Sequence, residues 1–295
     1  FRVLFQNGKR IANPQSGKQL LIQNPNAVYT GGRTIQRNRF FLFDSHIERL
    51  KNSYRSIAKD CSLSNQDVRN VVLKSLKPAM STVFVENPDV DCELKLTILL
   101  TRGAPQDVND PNVSVMVEPI PVRTSKIVEM VEHAPRDDPA TKDTNWAIQR
   151  QSLEDSKGDD VDEVVMYDSN GVVSEGLSSN FAVLIGDVIH TAPSDAVLTG
   201  TVLKLALKLA RENNIELKQD GVDLSSVSSW RGAFVASTTR GVRVLNTIRF
   251  RDHSKYNDIE FKEEDCDILI NLSDLIKNHM FEESELIVPL PTKTK

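Results

Sequence analysis

The chain has 295 residues, of which 39% are hydrophobic and 26% charged, and it carries a formal net charge of −5. That is the make-up of a soluble globular protein, long enough to favour two domains over one. The acidic balance gives no electrostatic reason for a nucleic-acid partner, and no apolar run approaches the roughly 20 residues of a membrane span. The three cysteines, Cys61, Cys92 and Cys266, lack metal-type or CxxC spacing. They argue against a disulfide framework and for a reducing compartment, cytoplasm or organelle interior.

Residues 2–12 read as two short strands around a turn at Asn7-Gly8, and 13–25 as loop. Residues 29–43 read as a hairpin turning near Gln36–Arg39. Asp44 or Ser45 offers an N-cap for a helix over 46–59, whose apolar face is Ile47, Leu50, Tyr54 and Ile57. A second helix is predicted over 65–76, and strands over 91–101 and 113–118. Pro119 and Pro121 mark a linker, so an α+β domain over 1–121 precedes a larger one over 122–295.

The second part opens with a strand over 127–131, a loop over 133–143 and a helix over about 143–155. Val164–Tyr167, the turn Asp168-Ser169-Asn170-Gly171 and Val172-Val173 make a hairpin, because Asn-Gly accepts positive φ at both turn positions. Glu175 follows in a strand-like, apolar context, and a buried carboxylate needs a partner. Strands are predicted from Phe181, over 188–191, near 215–218, and over 233–238 and 242–248. An amphipathic helix covers 200–213, a short helix lies near 223–230 and a last one spans 265–280.

Several stretches appear together in one order. They are Asp44-Ser45-His46-Ile47-Glu48-Arg49-Leu50, Lys142-Asp143-Thr144-Asn145-Trp146 followed by Arg150-Gln151-Ser152-Leu153-Glu154, Glu175-Gly176-Leu177-Ser178-Ser179-Asn180, Leu198-Thr199-Gly200-Thr201-Val202, and Ala236-Ser237-Thr238-Thr239-Arg240. From about Tyr29 to Val244 the chain resembles the class IV aminotransferases, which are fold-type IV enzymes using pyridoxal 5′-phosphate. The resemblance leans toward the D-amino acid aminotransferase and aminodeoxychorismate lyase branches. It implies a small α/β N-terminal domain, a larger β-barrel-like C-terminal domain with helices, and a homodimer.

The resemblance implies a role for each piece. Lys142 matches the Schiff-base lysine, where the chemistry needs an amine that attacks the cofactor aldehyde and then moves a proton. Alone, it reads as a solvated lysine at a helix start. Glu175 matches the glutamate paired with the pyridine nitrogen; otherwise it is a strand-end carboxylate reaching solvent. Arg49 matches the phosphate arginine, suited by its forked donors. Leu198, Gly200, Thr201 and Val202 supply a helix N-terminus for the same phosphate, with Thr238 adding a hydroxyl and Ser178 and Ser179 nearby. Arg102, Tyr29 and Thr239 fall on the substrate side.

There are departures from the family pattern. Its usual Gly-Ile-Thr-Arg is Gly200-Thr201-Val202-Leu203 here, so the hydroxyl moves by one position and the arginine is lost. Ala147 stands where branched-chain enzymes carry a tyrosine, which speaks against that branch. The expected activity is a transaminase moving an amino group between an amino acid and a 2-keto acid. A lyase of the aminodeoxychorismate type and a catalytically silent binding subunit stand as alternatives.

Overall fold

The computed structural model describes residues 1–291 except 104–106, 135 and 137. The chain divides into two compact units. The first comprises Phe1–Pro121, Thr141–Gln149 and Met280–Lys295; the second comprises Val122–Ala140 and Arg150–His279. Two later segments, 141–149 and 280–295, thus return to the first unit. One of these segments carries Lys142.

The first unit is built on a seven-stranded antiparallel sheet. Its order is Ser284–Leu286, Arg39–Phe41, Val28–Ile35, Leu94–Thr101, Asn112–Pro119, Val3–Gln6 and Lys9–Ile11. The turn at Asn7-Gly8 has positive φ at both residues, as do Gln36 and Arg37 in the second hairpin. Helices Phe43–Ile57 and Asn65–Glu86 pack against this sheet around Leu50, Tyr54, Val72, Leu76 and Met80. The first helix starts earlier than its polar residues suggest. Leu42, buried and at φ 56°, takes the N-cap position, while Asp44 is exposed and bonds Arg69.

The second helix runs ten residues past its expected end and through Pro78. A proline inside a helix removes one hydrogen bond and crowds the preceding turn, costing about 3 kcal/mol. Beyond it Ala79, Met80, Val83 and Phe84 continue the buried face. Burying two or three large apolar side chains outweighs that cost, at roughly 1.5–3 kcal/mol each. The stretch read as loop also holds a helix, Gly17–Ile22, closed by a capping box of Ser16 with Gln19.

The second unit has two five-stranded sheets. One runs Leu217–Lys218, Val188–Thr191, Asn180–Ile185, Trp230–Ser237, Gly241–Val244. The other runs Ile259–Glu260, Thr247–Phe250, Ile127–Glu132, Glu163–Tyr167, Val173–Gly176, with its three central strands parallel. Helices Thr201–Glu212 and Asp267–His279 pack on each other and on the first of these sheets. The predicted helix over 143–155 is broken at Arg150 into Thr144–Gln149 and Gln151–Asp155. Among the described residues no helix is long and apolar enough to cross a membrane, and no group of His, Cys, Asp and Glu could hold a metal ion.

Candidate active site

In the first unit, the segment carrying Lys142 is fixed by its main chain. Tyr29 N–H donates to the Lys142 carbonyl at 3.0 Å, and Lys142 N–H donates to Ser53 Oγ at 3.2 Å. Thr144 locks the next turn, donating its hydroxyl to the Asn24 carbonyl and accepting from Ala27 N–H. The Lys142 side chain lies over the Tyr29 ring, with Nζ 5.0 Å from the ring centre. Tyr29 is buried with Leu21, Leu99 and Ala147, so the small side chain at 147 is part of the packing under the ring.

Arg49 projects from the helix Phe43–Ile57 and is half-buried. Its Nη2 donates to Thr30 Oγ1 and to His46 Nδ1, the latter at 3.0 Å. Thr30 Oγ1 is also 2.6 Å from His46 Nδ1. A guanidinium can only donate, so Nδ1 is an acceptor and the ring proton sits on Nε2. Burial holds the His46 pKa well below its ordinary value, helped by the charges of Arg49 and Lys142, so the ring is neutral. Burial also pulls Arg49 down to about 10, against an opposing pull from Tyr29, which leaves it charged at neutral pH. Among the described residues no carboxylate forms an ion pair with Arg49. Its Nε and His46 Nε2 are buried N–H groups without a hydrogen-bond partner among the described residues. A desolvated cation with an unsatisfied donor is the environment an anion relieves.

In the second unit, Glu175 is buried at the end of the strand Val173–Gly176. Its Oε1 accepts from Arg136 Nη1 at 3.1 Å, and the two side chains are 8% and 7% exposed. The run after it is a tight turn in which Gly176 N–H donates to the Ser179 carbonyl at 2.8 Å. A Cβ on Gly176 would overlap Ser179 Oγ and crowd Glu163, so the turn needs a glycine for close approach. Ser178 and Ser179 both donate their hydroxyls to Glu163 Oε2, at 2.6 and 3.0 Å. They brace a buried carboxylate here, a partner the sequence pattern did not reveal.

Glu163 and Asp162 are held by Arg240, whose Nε donates to Asp162 at 2.9 Å and whose Nη1 lies 3.2 Å from Glu163. Burial pushes the Glu163 carboxyl up, but Arg240 and the Ser178 hydroxyl outweigh it and hold it below its ordinary value. Asn180 ties the strand to the next helix. Its Nδ2 donates to the Leu198 carbonyl and its Oδ1 accepts from Gly200 N–H at 2.9 Å. Gly200 is the N-cap of Thr201–Glu212, and no side chain caps that helix. Thr201, the first helical residue, has its hydroxyl 3.2 Å from that of Thr238, both buried. The threonine shifted by one position thus still reaches the helix mouth, while Val202 points into the core.

Of the expected substrate-side residues, Arg102 is exposed just past the strand Leu94–Thr101 and Thr239 is half-buried in the turn before Arg240. His46, Thr30, Arg136, Glu163 and Arg240 carry no assigned role in the sequence reading. His46 and Arg240 lie inside matched stretches, which was the available signal. A separate cavity of about 370 Å³ in the second unit is lined by Lys126, Arg240, Arg243, Asn246, Cys266 and Lys277. Glu175, Thr201 and Thr238 do not border it.

Comparison with known proteins places the chain in a family. The family model for amino-transferase class IV matches residues 27–248. A putative branched-chain-amino-acid aminotransferase of Methanocaldococcus jannaschii is 24% identical over 245 residues, covering 76% of this chain and 82% of that protein. Among solved structures, the PLP-bound form of a hypothetical aminotransferase from Mycobacterium tuberculosis aligns with a TM-score of 0.72 at 15% identity. The alignment covers 94% of this chain and 99% of that one. A putative branched-chain amino acid aminotransferase from Thermotoga maritima aligns with a TM-score of 0.66 at 21% identity, covering 94% and 96%. With the family match spanning most of its length, the chain belongs to the class IV aminotransferases.

Proposed function

We propose that this chain is a pyridoxal-phosphate-dependent transaminase that moves an amino group between an amino acid and a 2-keto acid, with Lys142 as the lysine that carries the cofactor. The observation that carries the reading is the cluster of Lys142, Tyr29, Thr30, His46 and Arg49. It sets an amine and a half-buried guanidinium, which forms no carboxylate ion pair among the described residues, around one neutral imidazole. The residues present fit the cofactor. The buried Arg49 Nε–H has no partner among the described residues and suits a phosphate. The uncapped helix N-terminus at Gly200, with the Thr201 and Thr238 hydroxyls, suits the same kind of group. Glu175 is a buried carboxylate suited to a cationic ring nitrogen.

When bound, pyridoxal phosphate supplies an aldehyde that links to an amine and a ring that accepts electrons from the substrate's α-carbon. The chain's own residues do the rest. Arg49 holds the phosphate, and Thr30 and His46 fix the orientation of its fork. Glu175 keeps a positive charge on the ring nitrogen. Lys142 Nζ would take the proton from the substrate's α-carbon and deliver it to the aldehyde-derived carbon of the cofactor, so that the donor leaves as a 2-keto acid. Tyr29 limits the positions open to that amine. Donor and acceptor acids then use the site in turn, which gives ping-pong kinetics. The family resemblance further implies a homodimer, which the mass of the protein in solution tests.

The test is a screen of D- and L-amino acids as donors against 2-keto acid acceptors, read by the absorption of bound cofactor and by the products. A keto acid formed from the donor, with the acceptor aminated in return, is expected. Pyruvate released without any acceptor overturns the transaminase in favour of a lyase, and no uptake of pyridoxal phosphate overturns both.

A further inference from the structure

The cavity in the second unit lies against the strand Gly241–Val244, the segment Leu245-Asn246 and the helix Asp267–His279. Two hydrogen bonds fix its frame. Ser273 Oγ donates to the Val242 carbonyl at 2.9 Å, and Phe261 N–H donates to the Asn246 carbonyl at 2.8 Å. Its volume of about 370 Å³ is near the lower end of the range for small-molecule sites, roughly 300–1,000 Å³. Val242, Leu245 and Cys266, all buried, and the half-buried Phe261 and Ile270 give it an apolar lining.

The charge on its wall is mostly positive, in a chain whose net charge is −5. Arg240 is already held by Asp162 and Glu163, and Lys277 pairs with Asp274 at 2.8 Å. Arg243 is different. Half-buried, it donates from Nε to the Ser125 carbonyl at 2.9 Å and from Nη2 to the Arg123 carbonyl at 2.5 Å. Among the described residues it pairs with no carboxylate. The two main-chain bonds fix the plane of the guanidinium and leave its Nη1 donors for an anion. A guanidinium drawn out of bulk water without a counter-ion favours one. Lys126, exposed on the same wall, adds positive charge. Glu263 also lines the wall, but it is exposed, and water and salt screen an exposed charge.

We propose that this cavity is a second ligand site that binds a small carboxylic acid with an aliphatic or aromatic tail. Arg243 takes the carboxylate and the apolar lining takes the tail. An anion without a tail leaves the lining uncovered, and a neutral ligand leaves Arg243 without a counter-ion, so both halves of the ligand are needed. The site stands apart from the transaminase reading and does not depend on it.

The experiment titrates 4-phenylbutyrate into the full-length chain with pyridoxal phosphate present. Calorimetry gives the dissociation constant, and the Ile270 methyl resonance of methyl-labelled protein gives the place. Saturable binding that shifts this resonance is expected. 4-Phenylbutanamide and acetate are each expected to bind at least about tenfold more weakly than 4-phenylbutyrate. Arg243→Met is expected to weaken binding of the acid by about tenfold or more, and Lys126→Gln by about twofold. Ile270→Trp, which fills the space and leaves every charge in place, is expected to abolish it. If the Arg243 variant does not fold, the Ile270 variant and the ligand series on the unsubstituted chain decide. Equal binding of the acid and its amide overturns the proposal, as does undiminished binding by Ile270→Trp. Binding that leaves the Ile270 resonance unmoved places the acid elsewhere and also overturns it. So does displacement of the acid by an equal concentration of inorganic phosphate, or no binding at about 10 mM.

Discussion

Arg240 Nη1 stands 3.2 Å from Glu163 Oε2, with the two side chains 3% and 5% exposed. The same guanidinium bonds Asp162 at 2.9 Å and Ser178 at 3.0 Å. Two buried carboxylates thus share Arg240, and Arg123 also bonds Asp162. Removing one member of such a network leaves charge uncompensated. Arg240→Met is expected to lower the unfolding free energy by about 3–5 kcal/mol, measured by urea titration. A loss below about 1 kcal/mol would contradict the assignment of Arg240 as the strut of this network.

Gly200 has an ordinary φ of −67°, so its importance is space. A Cβ there would sit 2.5 Å from Asn180 Oδ1, the atom that accepts from its own N–H. Gly200→Ala is expected to destabilise by about 1–3 kcal/mol and to weaken cofactor uptake. Thermal melting and a cofactor titration on the same sample check both parts.

Arg49 provides a test of the phosphate assignment. Arg49→Met is expected to weaken pyridoxal phosphate binding by about a hundredfold, and Arg49→Lys to recover only part of it, because an ammonium lacks the fork. Pyridoxal without its phosphate should lose this discrimination between variants. Equal losses for both ligands would place Arg49 elsewhere than at the phosphate.

His46 predicts a pH dependence. Its folded pKa is depressed, while the unfolded chain takes up the proton near pH 6.5. The unfolded state therefore binds more protons below that pH, and stability falls as pH drops from about 6.5. The contribution reaches about 1.4 kcal/mol per pH unit. His46→Gln retains an acceptor for Arg49 and does not titrate. It should be less sensitive to acid than the unsubstituted chain by that slope, measured by urea unfolding between pH 5 and pH 7 (about one and a half units into the window). Parallel stability curves would show that His46 is not the group.

Much of this was legible in the residues, for physical reasons that differ by element. The hairpin at Asn170-Gly171 was, because Gly171 must take φ 86° and Asp168 can hold the turn with its side chain. The helix Thr201–Glu212 was, because its apolar residues repeat on one face. The polar run from Glu175 to Asn180 stood out as unusual, and its members now have particular partners. Other features depend on distant contacts. Glu163 reads as an ordinary strand residue, and Asp162 meets Arg240 from 78 positions away. Helix Asn65–Glu86 passes a proline that local rules treat as a stop, since only the packed core rewards the continuation. The strand Ser284–Leu286 exists because it finds an edge at Arg39–Phe41. The capping box at Ser16 and Gln19 was readable, but the Asn- and Pro-rich surroundings favoured a loop.

The central claim is that Lys142 carries the cofactor. The chain is loaded with pyridoxal 5′-phosphate, reduced with borohydride, digested, and its peptides are weighed. The account predicts the added pyridoxyl mass on the peptide containing Lys142, and no labelled peptide from Lys142→Ala. Label on another lysine, or none on the unsubstituted chain, contradicts it.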